Sequence, residues 1–169
     1  MMNEKLQAAF NDQINKELYS EYLYLAMKIY FLEQNLNGFA NWFDVQVQEE
    51  RAHAMGLFDY LNDREGTLKL EAIDKPVVEG NTPVAIFEQV LKHEKFVTER
   101  ISALMDVADE AHDRAALSFL DWYIKEQVEE EATASTILGT LRLIGDDKKG
   151  LLMLDRELAA RTFTAPTIG

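Results

Sequence analysis

The chain contains no cysteine. That absence removes disulfides, thiolate zinc and iron-sulfur sites and a cysteine nucleophile together, so any metal chemistry must use oxygen and imidazole. Proline is nearly missing as well, with only Pro76, Pro83 and Pro166 present. The stretches 1–75 and 84–165 therefore lack this helix breaker, and long helices fit both. No uninterrupted apolar run approaches the ~18 residues of a membrane span, so a soluble protein without a membrane partner is expected. Positive charge is scarce: Lys and Arg total 17 against 30 Asp and Glu, a formal charge of -13. Such a balance repels nucleic acid and anionic membranes and attracts cations, which makes nucleic acid an unexpected partner. The segment Met1 to Leu6 does not join a basic stretch to an apolar one, so it does not read as a secretory leader, and a cytoplasmic location is expected.

What is present suits a single domain spanning 1–169, because 169 residues with 47% hydrophobic content can bury one substantial core. Phe10, Glu17, Tyr24 and Phe31 recur every seven residues, with Leu18, Leu25 and Leu32 beside them, which predicts a first helix near 4–34 with one continuous inner face. Asn35-Leu36-Asn37-Gly38 reads as a short turn. A second stripe follows at three-and-four spacing through Phe39, Trp42, Phe43, Gln46, Glu50, His53, Leu57 and Tyr60, predicting a helix over about 38–64. Glu65-Gly66 breaks it, and Thr67 to Asn81, with Pro76 and Gly80, carries no helical stripe and reads as a long connection.

Thr82-Pro83 is a strong helix start, since threonine caps a free N–H and proline has none to lose. The third stripe runs through Phe87, Val90, Leu91, Glu94, Val97, Ile101, Leu104 and Ala108. After a short His112-Asp113 corner, Asp113 caps a fourth helix carrying Leu117, Leu120, Tyr123, Ile124, Gln127, Glu130, Ala134, Ile137, Leu141 and Ile144, which Gly145 ends. A shorter helix over roughly 147–160 carries Leu151, Leu152, Leu154 and Leu158, and the tail beyond Arg161 looks irregular. The expected fold is all-α: an antiparallel four-helix bundle with one long crossover between the second and third helices, plus a short C-terminal fifth helix.

Each of the four long stripes is interrupted by polar groups on its buried face: Glu17, Glu50 with His53, Glu94, and Gln127 with Glu130. Taking an ionised carboxylate out of water costs on the order of several kcal/mol, so a core holds several only where cations balance them. The spacings match between halves. Glu17 to Glu50 and Glu94 to Gln127 are both 33 residues, while Glu17 to His53 and Glu94 to Glu130 are both 36. Two hairpins would thus bring the groups to one level. Glu50-x-x-His53 aims an oxygen and an imidazole nitrogen at one point, a donor pair suited to iron, manganese or zinc. The general di-iron bundle pattern is one Glu from each of two helices plus Glu-x-x-His from each of the other two. Glu17, Glu94 and Glu50-x-x-His53 fit it, whereas the fourth helix departs with Gln127-x-x-Glu130. One metal would be held by Glu17, Glu50 and His53, and the other by Glu50, Glu94 and Glu130.

Over essentially its whole length the chain resembles the bacterial non-haem ferritins, most specifically in Glu17 with Tyr24, the segment Gln48 to His53, Glu94, and the segment Glu126 to Glu131. The resemblance implies iron storage with ferroxidase activity: two Fe(II) per subunit oxidised by dioxygen or hydrogen peroxide, and ferric oxide deposited in a hollow homo-oligomeric shell of twenty-four subunits. It implies that Glu50 bridges the irons, that Gln127 supports their ligands, that Tyr24 sits beside them as hydrogen-bond partner or electron donor, and that Glu49, Glu126 and Glu129 form a third iron site. Trp42 and Trp122 read as packing residues. His93 at a stripe edge and His112 in a turn are not read as ligands. Met27, Met55 and Met105 suit core filling better than a haem pocket, and no haem is expected.

Two rivals remain open on sequence alone. A di-iron peroxidase or oxidase without mineral storage is one, though the cysteine-rich iron domain usual in rubrerythrin-like proteins is absent. The other is a non-enzymatic helical binding module, which predicts no stoichiometric iron.

Overall fold

The structure, a computed structural model, describes residues 2–169. Five helices account for most of them: α1 Glu4–Glu33, α2 Asn37–Asp63, α3 Pro83–Glu110, α4 Arg114–Ile144 and α5 Lys148–Leu158. Four starts are capped by the residue just before the helix. Asn3 accepts from Lys5 N–H, Thr82 from Ala85 N–H ahead of Pro83, Asp113 from Ala116 N–H, and Asp147 from Lys149 N–H. Asp113 also takes a two-pronged ion pair from Arg64 at 2.9 and 3.2 Å, tying the end of α2 to the α3–α4 corner. Asn35, Glu65 and His112 follow helix ends with φ of 58°, 54° and 52°. These left-handed residues reverse the chain, and of the three Glu65 is the least suited to that conformation, which asparagine and histidine adopt more readily.

The start of α2 is capped from elsewhere in the chain. Leu36 offers no side-chain acceptor. Instead Asp155 Oδ1 of α5 accepts from the N–H groups of Gly38 and Phe39 at 2.8 and 3.0 Å. The approach needs glycine, because a Cβ on residue 38 would lie 1.6 Å from the Asp155 carbonyl oxygen.

α1 and α2 form one antiparallel hairpin and α3 and α4 another, with α1 packed on α3 to close the bundle. The crossover climbs α1. Gln7, Asn11 and Asn15, four residues apart on one face, hold it: their amides bond to the backbone of Thr67, Lys69 and Ala72. Near the top, Tyr30 donates to the Asn81 carbonyl.

The core is divided into two apolar clusters. One, around Phe31, Phe39, Phe43 and Phe87, also receives Leu154 and Leu158 of α5. The other is built on Phe10, Leu57, Leu61, Ile101 and Leu120. Between them lies a buried polar layer of Gln13, Glu17, Ser20, Gln46, Glu50, His53, Glu94, Gln127 and Glu130.

Two expectations need correction. Leu25 and Leu32 are 40% and 47% exposed and not part of the inner face, and Leu18 is only half-buried. Each lies 100° around the helix from its buried neighbour, beyond the sector that α2 and α3 cover. In α5 only Leu154 and Leu158 are buried, Leu152 faces outward, and the helix ends at Leu158.

Candidate metal centre

The polar layer collects carboxylates from all four long helices, as the matched spacings predict. Ligand atoms of Glu17, Glu50 and His53 lie within 4.8 Å of one another, as do those of His53, Glu126 and Glu130. His53 stands between the two groups. Its Nδ1 is 3.4 Å from Glu50 Oε2 and its Nε2 is 3.9 Å from Glu126 Oε1. The imidazole is set by its surroundings: Tyr123 hydroxyl donates to the His53 carbonyl at 2.7 Å, and Trp122 lies edge-on to the ring.

Neutral donors hold the other carboxylates. Gln13 Nε2 donates to Glu17 Oε1 at 2.8 Å. Tyr24 hydroxyl donates to Glu94 Oε1, while Gln127 Nε2 donates to Glu94 Oε2 at 3.1 Å. Gln46 Nε2 donates to Glu130 Oε2 at 3.0 Å. Gln127 therefore serves Glu94 through its amide nitrogen, and the second three-ligand group, His53, Glu126 and Glu130, contains neither Glu94 nor Glu50.

The electrostatics describe a site short of positive charge. Burial, then the charges of Glu94, Glu17 and Glu130, push the Glu50 carboxyl well above its ordinary range. Burial lifts Glu94 to about 7 despite the hydrogen bonds from Tyr24 and Gln127. Burial and the Glu94 charge lift Glu130 to about 8, against the opposing influence of His53 and Gln46. The Tyr24 hydroxyl is raised by burial and the same carboxylates, so it remains a proton donor. Glu17 Oε2 and His53 Nε2 are buried with no hydrogen-bond partner. Unpartnered oxygen and nitrogen atoms beside several buried carboxylates are what a cation would satisfy, and the oxygen-rich set with one imidazole fits iron.

A sequence profile described as the ferritin-like domain matches residues 7–144. The chain belongs to the ferritin-like family. It is 41% identical over 161 residues to a bacterial non-haem ferritin of Bacteroides fragilis, covering 95% of this chain and all of that one. A bacterial non-haem ferritin of Staphylococcus epidermidis is 40% identical over 163 residues, covering 96% of this chain and 98% of the relative. Among solved structures, a humanized archaeal ferritin superposes with a TM-score of 0.95 at 51% identity, covering 97% of this chain and 99% of that chain. An open-pore ferritin from Archaeoglobus fulgidus superposes with a TM-score of 0.94 at 50% identity, covering 96% of this chain and all of that one.

In this ferritin Glu49 and Glu129 do not join the ligand groups. Glu49 Oε2 is paired with Arg161 Nη2 at 2.6 Å, and Glu129 is exposed, while Glu126 is half-buried and turned to His53. His93 is half-buried with its Nε2 2.8 Å from Ser20 Oγ, desolvation lowers its imidazole to about 4, and it belongs to neither ligand group. Trp42 packs in the first cluster and lies under the Arg161 guanidinium. Met27 is fully enclosed in the same cluster.

Sequence reasoning missed Gln13 and Gln46 as donors. The signal was available for Gln13, which stands four residues before Glu17, where a long amide reaches its neighbour, whereas Gln46 donates to Glu130 on another helix, a pairing that no spacing announces. Arg161 carried no periodic signal, since it lies in the irregular tail.

Proposed function

We propose that this ferritin stores iron and oxidises it at two sites per chain, with Glu17, Glu50 and His53 holding one Fe(II), Glu50, Glu94 and Glu130 holding the second, and Glu50 bridging them. The observation that carries the assignment is the buried layer of carboxylates around His53, with Glu17 Oε2 and His53 Nε2 left unpartnered between two apolar clusters. Iron is the substrate. Two Fe(II) each lose one electron, and dioxygen gains both electrons with two protons to leave as hydrogen peroxide. Hydrogen peroxide itself is the alternative oxidant. Anionic oxygens favour the product, because hard donors stabilise Fe(III) more than Fe(II).

The chain's own groups have distinct parts. Gln13 fixes one Glu17 oxygen so that the other faces the site. Tyr24 and Gln127 orient Glu94, and Tyr24, kept protonated, is placed to supply a hydrogen or an electron at its hydroxyl. The raised carboxyls release protons when iron binds and are placed to take them up when it leaves. A third site would use Glu49, Glu126 and Glu129. Glu49 would then exchange Arg161 for iron.

The whole chain, 1–169, acts as one ferritin-like domain in this reading, assembled with further copies into a hollow shell of twenty-four for ferric oxide. The exposed apolar ridge of Tyr22, Leu25, Ile29 and Leu32 on α1 supports a second copy as its cover. We read the location as cytoplasmic and the site as independent of haem. Among the described residues no helix is long and apolar enough to cross a membrane. Oxygen uptake after anaerobic Fe(II) loading tests the assignment. Two irons should oxidise rapidly per chain, and Glu50→Ala should abolish that phase while the assembly elutes unchanged. Failure of the unmodified protein to bind Fe(II) would sink the reading.

A further inference from the structure

The turn after α5 is fastened to α2 by Asn41, whose amide donates to the carbonyls of Leu158, Ala159 and Arg161 at 3.2, 3.4 and 3.0 Å. This brings the Arg161 side chain down beside the polar layer. Its guanidinium carbon sits 4.8 Å from the Trp42 ring centroid, and Nη1 donates to the Trp42 carbonyl at 3.3 Å. Nη2 donates to both Glu49 Oε2 and Gln46 Oε1, each at 2.6 Å. Gln46 is fully buried and its Nε2 donates to Glu130 Oε2. A continuous path thus runs from the C-terminal tail through α2 to a carboxylate of α4.

The direction of that path follows from the donors and acceptors. Arginine has only N–H donors, so the atom of Gln46 that faces it must be the carbonyl oxygen. The amide NH2 then has to face Glu130. Without Arg161, Glu130 alone would set the Gln46 amide, and each half-turn of the amide would put its oxygen against the Glu130 carboxylate, where two acceptors repel. Glu49 and Trp42 hold the guanidinium from two sides, so the amide is locked by a planar group that is itself locked.

We propose that Arg161 is a positioning residue of the iron site: by fixing the Gln46 amide it commits one Glu130 oxygen to a hydrogen bond and leaves the other turned toward the metal. The inference rests on Glu130 being an iron ligand, and it gives the tail beyond α5 a part in metal affinity. Outer hydrogen-bond partners of this kind typically change metal affinity by about 10–100-fold when removed.

The test uses the assembled full-length protein, titrated anaerobically with cobalt(II) chloride as an optical probe that does not turn over. Circular dichroism and gel filtration establish that each variant folds and assembles. Arg161→Gln should weaken the second cobalt site about ten-fold and leave the site of Glu17, Glu50 and His53 unchanged. Arg161→Lys should recover much of the loss, because an ammonium still donates to Gln46 Oε1. Gln46→Met should reproduce the loss, and adding Arg161→Gln to it should cost nothing more, the signature of two residues acting in series. Unchanged binding in Arg161→Gln overturns the proposal, and so does a full further loss in the double variant. If the unmodified protein takes up neither cobalt nor Fe(II), the iron assignment itself falls, an outcome distinct from either.

Discussion

Replacing Glu130 by glutamine should make the metal-free protein more stable at neutral pH while impairing the iron site. Burial and the Glu94 charge raise the Glu130 carboxyl from 4.5 to about 8. A group raised on folding contributes stability that is fully present below its unfolded value and is lost as pH rises through its folded value, so the window here runs from about 4.5 to about 8. At pH 7 the unfolded chain has ionised this residue and the folded chain has not, which at 1.36 kcal/mol per pH unit makes about 3 kcal/mol of stability forgone; at pH 5 the loss is about 1 kcal/mol. Glutamine carries no such penalty and its carbonyl oxygen still accepts from Gln46, the one hydrogen bond that Glu130 makes in common with it. The variant should therefore gain about 2 kcal/mol more at pH 7 than at pH 5, a melting-temperature difference of about 4–8 °C for a chain of this size. Thermal unfolding of iron-free protein at fixed concentration, followed at both pH values with and without cobalt(II), measures it. Cobalt should raise the melting temperature of the unmodified protein far more than that of Glu130→Gln. An unmodified protein whose stability is flat between pH 5 and 7, or a variant shifted equally at both, would refute the reasoning.

Other consequences concern the frame. Gly38→Ala places a methyl 1.6 Å from the Asp155 carbonyl, so α5 must move off α2; chemical denaturation should show a loss of about 2 kcal/mol or more, or no assembled protein. Asp155→Ala removes the acceptor for two α2 N–H groups and should cost about 1–2 kcal/mol in the same assay, with Asp155→Asn recovering much of it. Tyr24→Phe deletes the donor to Glu94 Oε1, a bond that lowers the Glu94 carboxyl, so that carboxyl should shift further above its present value of about 7 and the metal-free protein should lose stability more steeply with rising pH; a pH titration of unfolding that matches the unmodified protein would count against that bond.

The fold was readable in the sequence where local chemistry and periodicity agreed. Thr82-Pro83, Asp113 and Gly145 each act through the backbone next to them, and the structure places helix boundaries at all three. The stripes located the polar layer because a residue on a buried helical face has few other places to go. Leu25 and Leu32 misled for the converse reason: apolar character says nothing about which side of a helix a neighbour covers, and a ridge left bare in one chain still resembles a core face. The crossover's attachment was equally hidden. Gln7, Asn11 and Asn15 look like ordinary surface amides until the connection is laid along them. Arg161 shows the limit most clearly, since its partners stand 112 and 115 residues away and no spacing rule links a tail to a helix.

The donors around the site also separate Glu50 from its companions. Glu17, Glu94 and Glu130 each accept from a neutral group fixed by the fold, namely Gln13, Tyr24 with Gln127, and Gln46. Each is thereby steered before any metal arrives. Glu50 instead has His53 at 3.4 Å and three carboxylates whose charges, after burial, force its own carboxyl upward. A neutral donor can orient a carboxylate but cannot offset neighbouring negative charge; a divalent cation does both. Two cations, one on either side, would relieve Glu50 more than any other residue of the layer, which is the electrostatic argument for its bridging place.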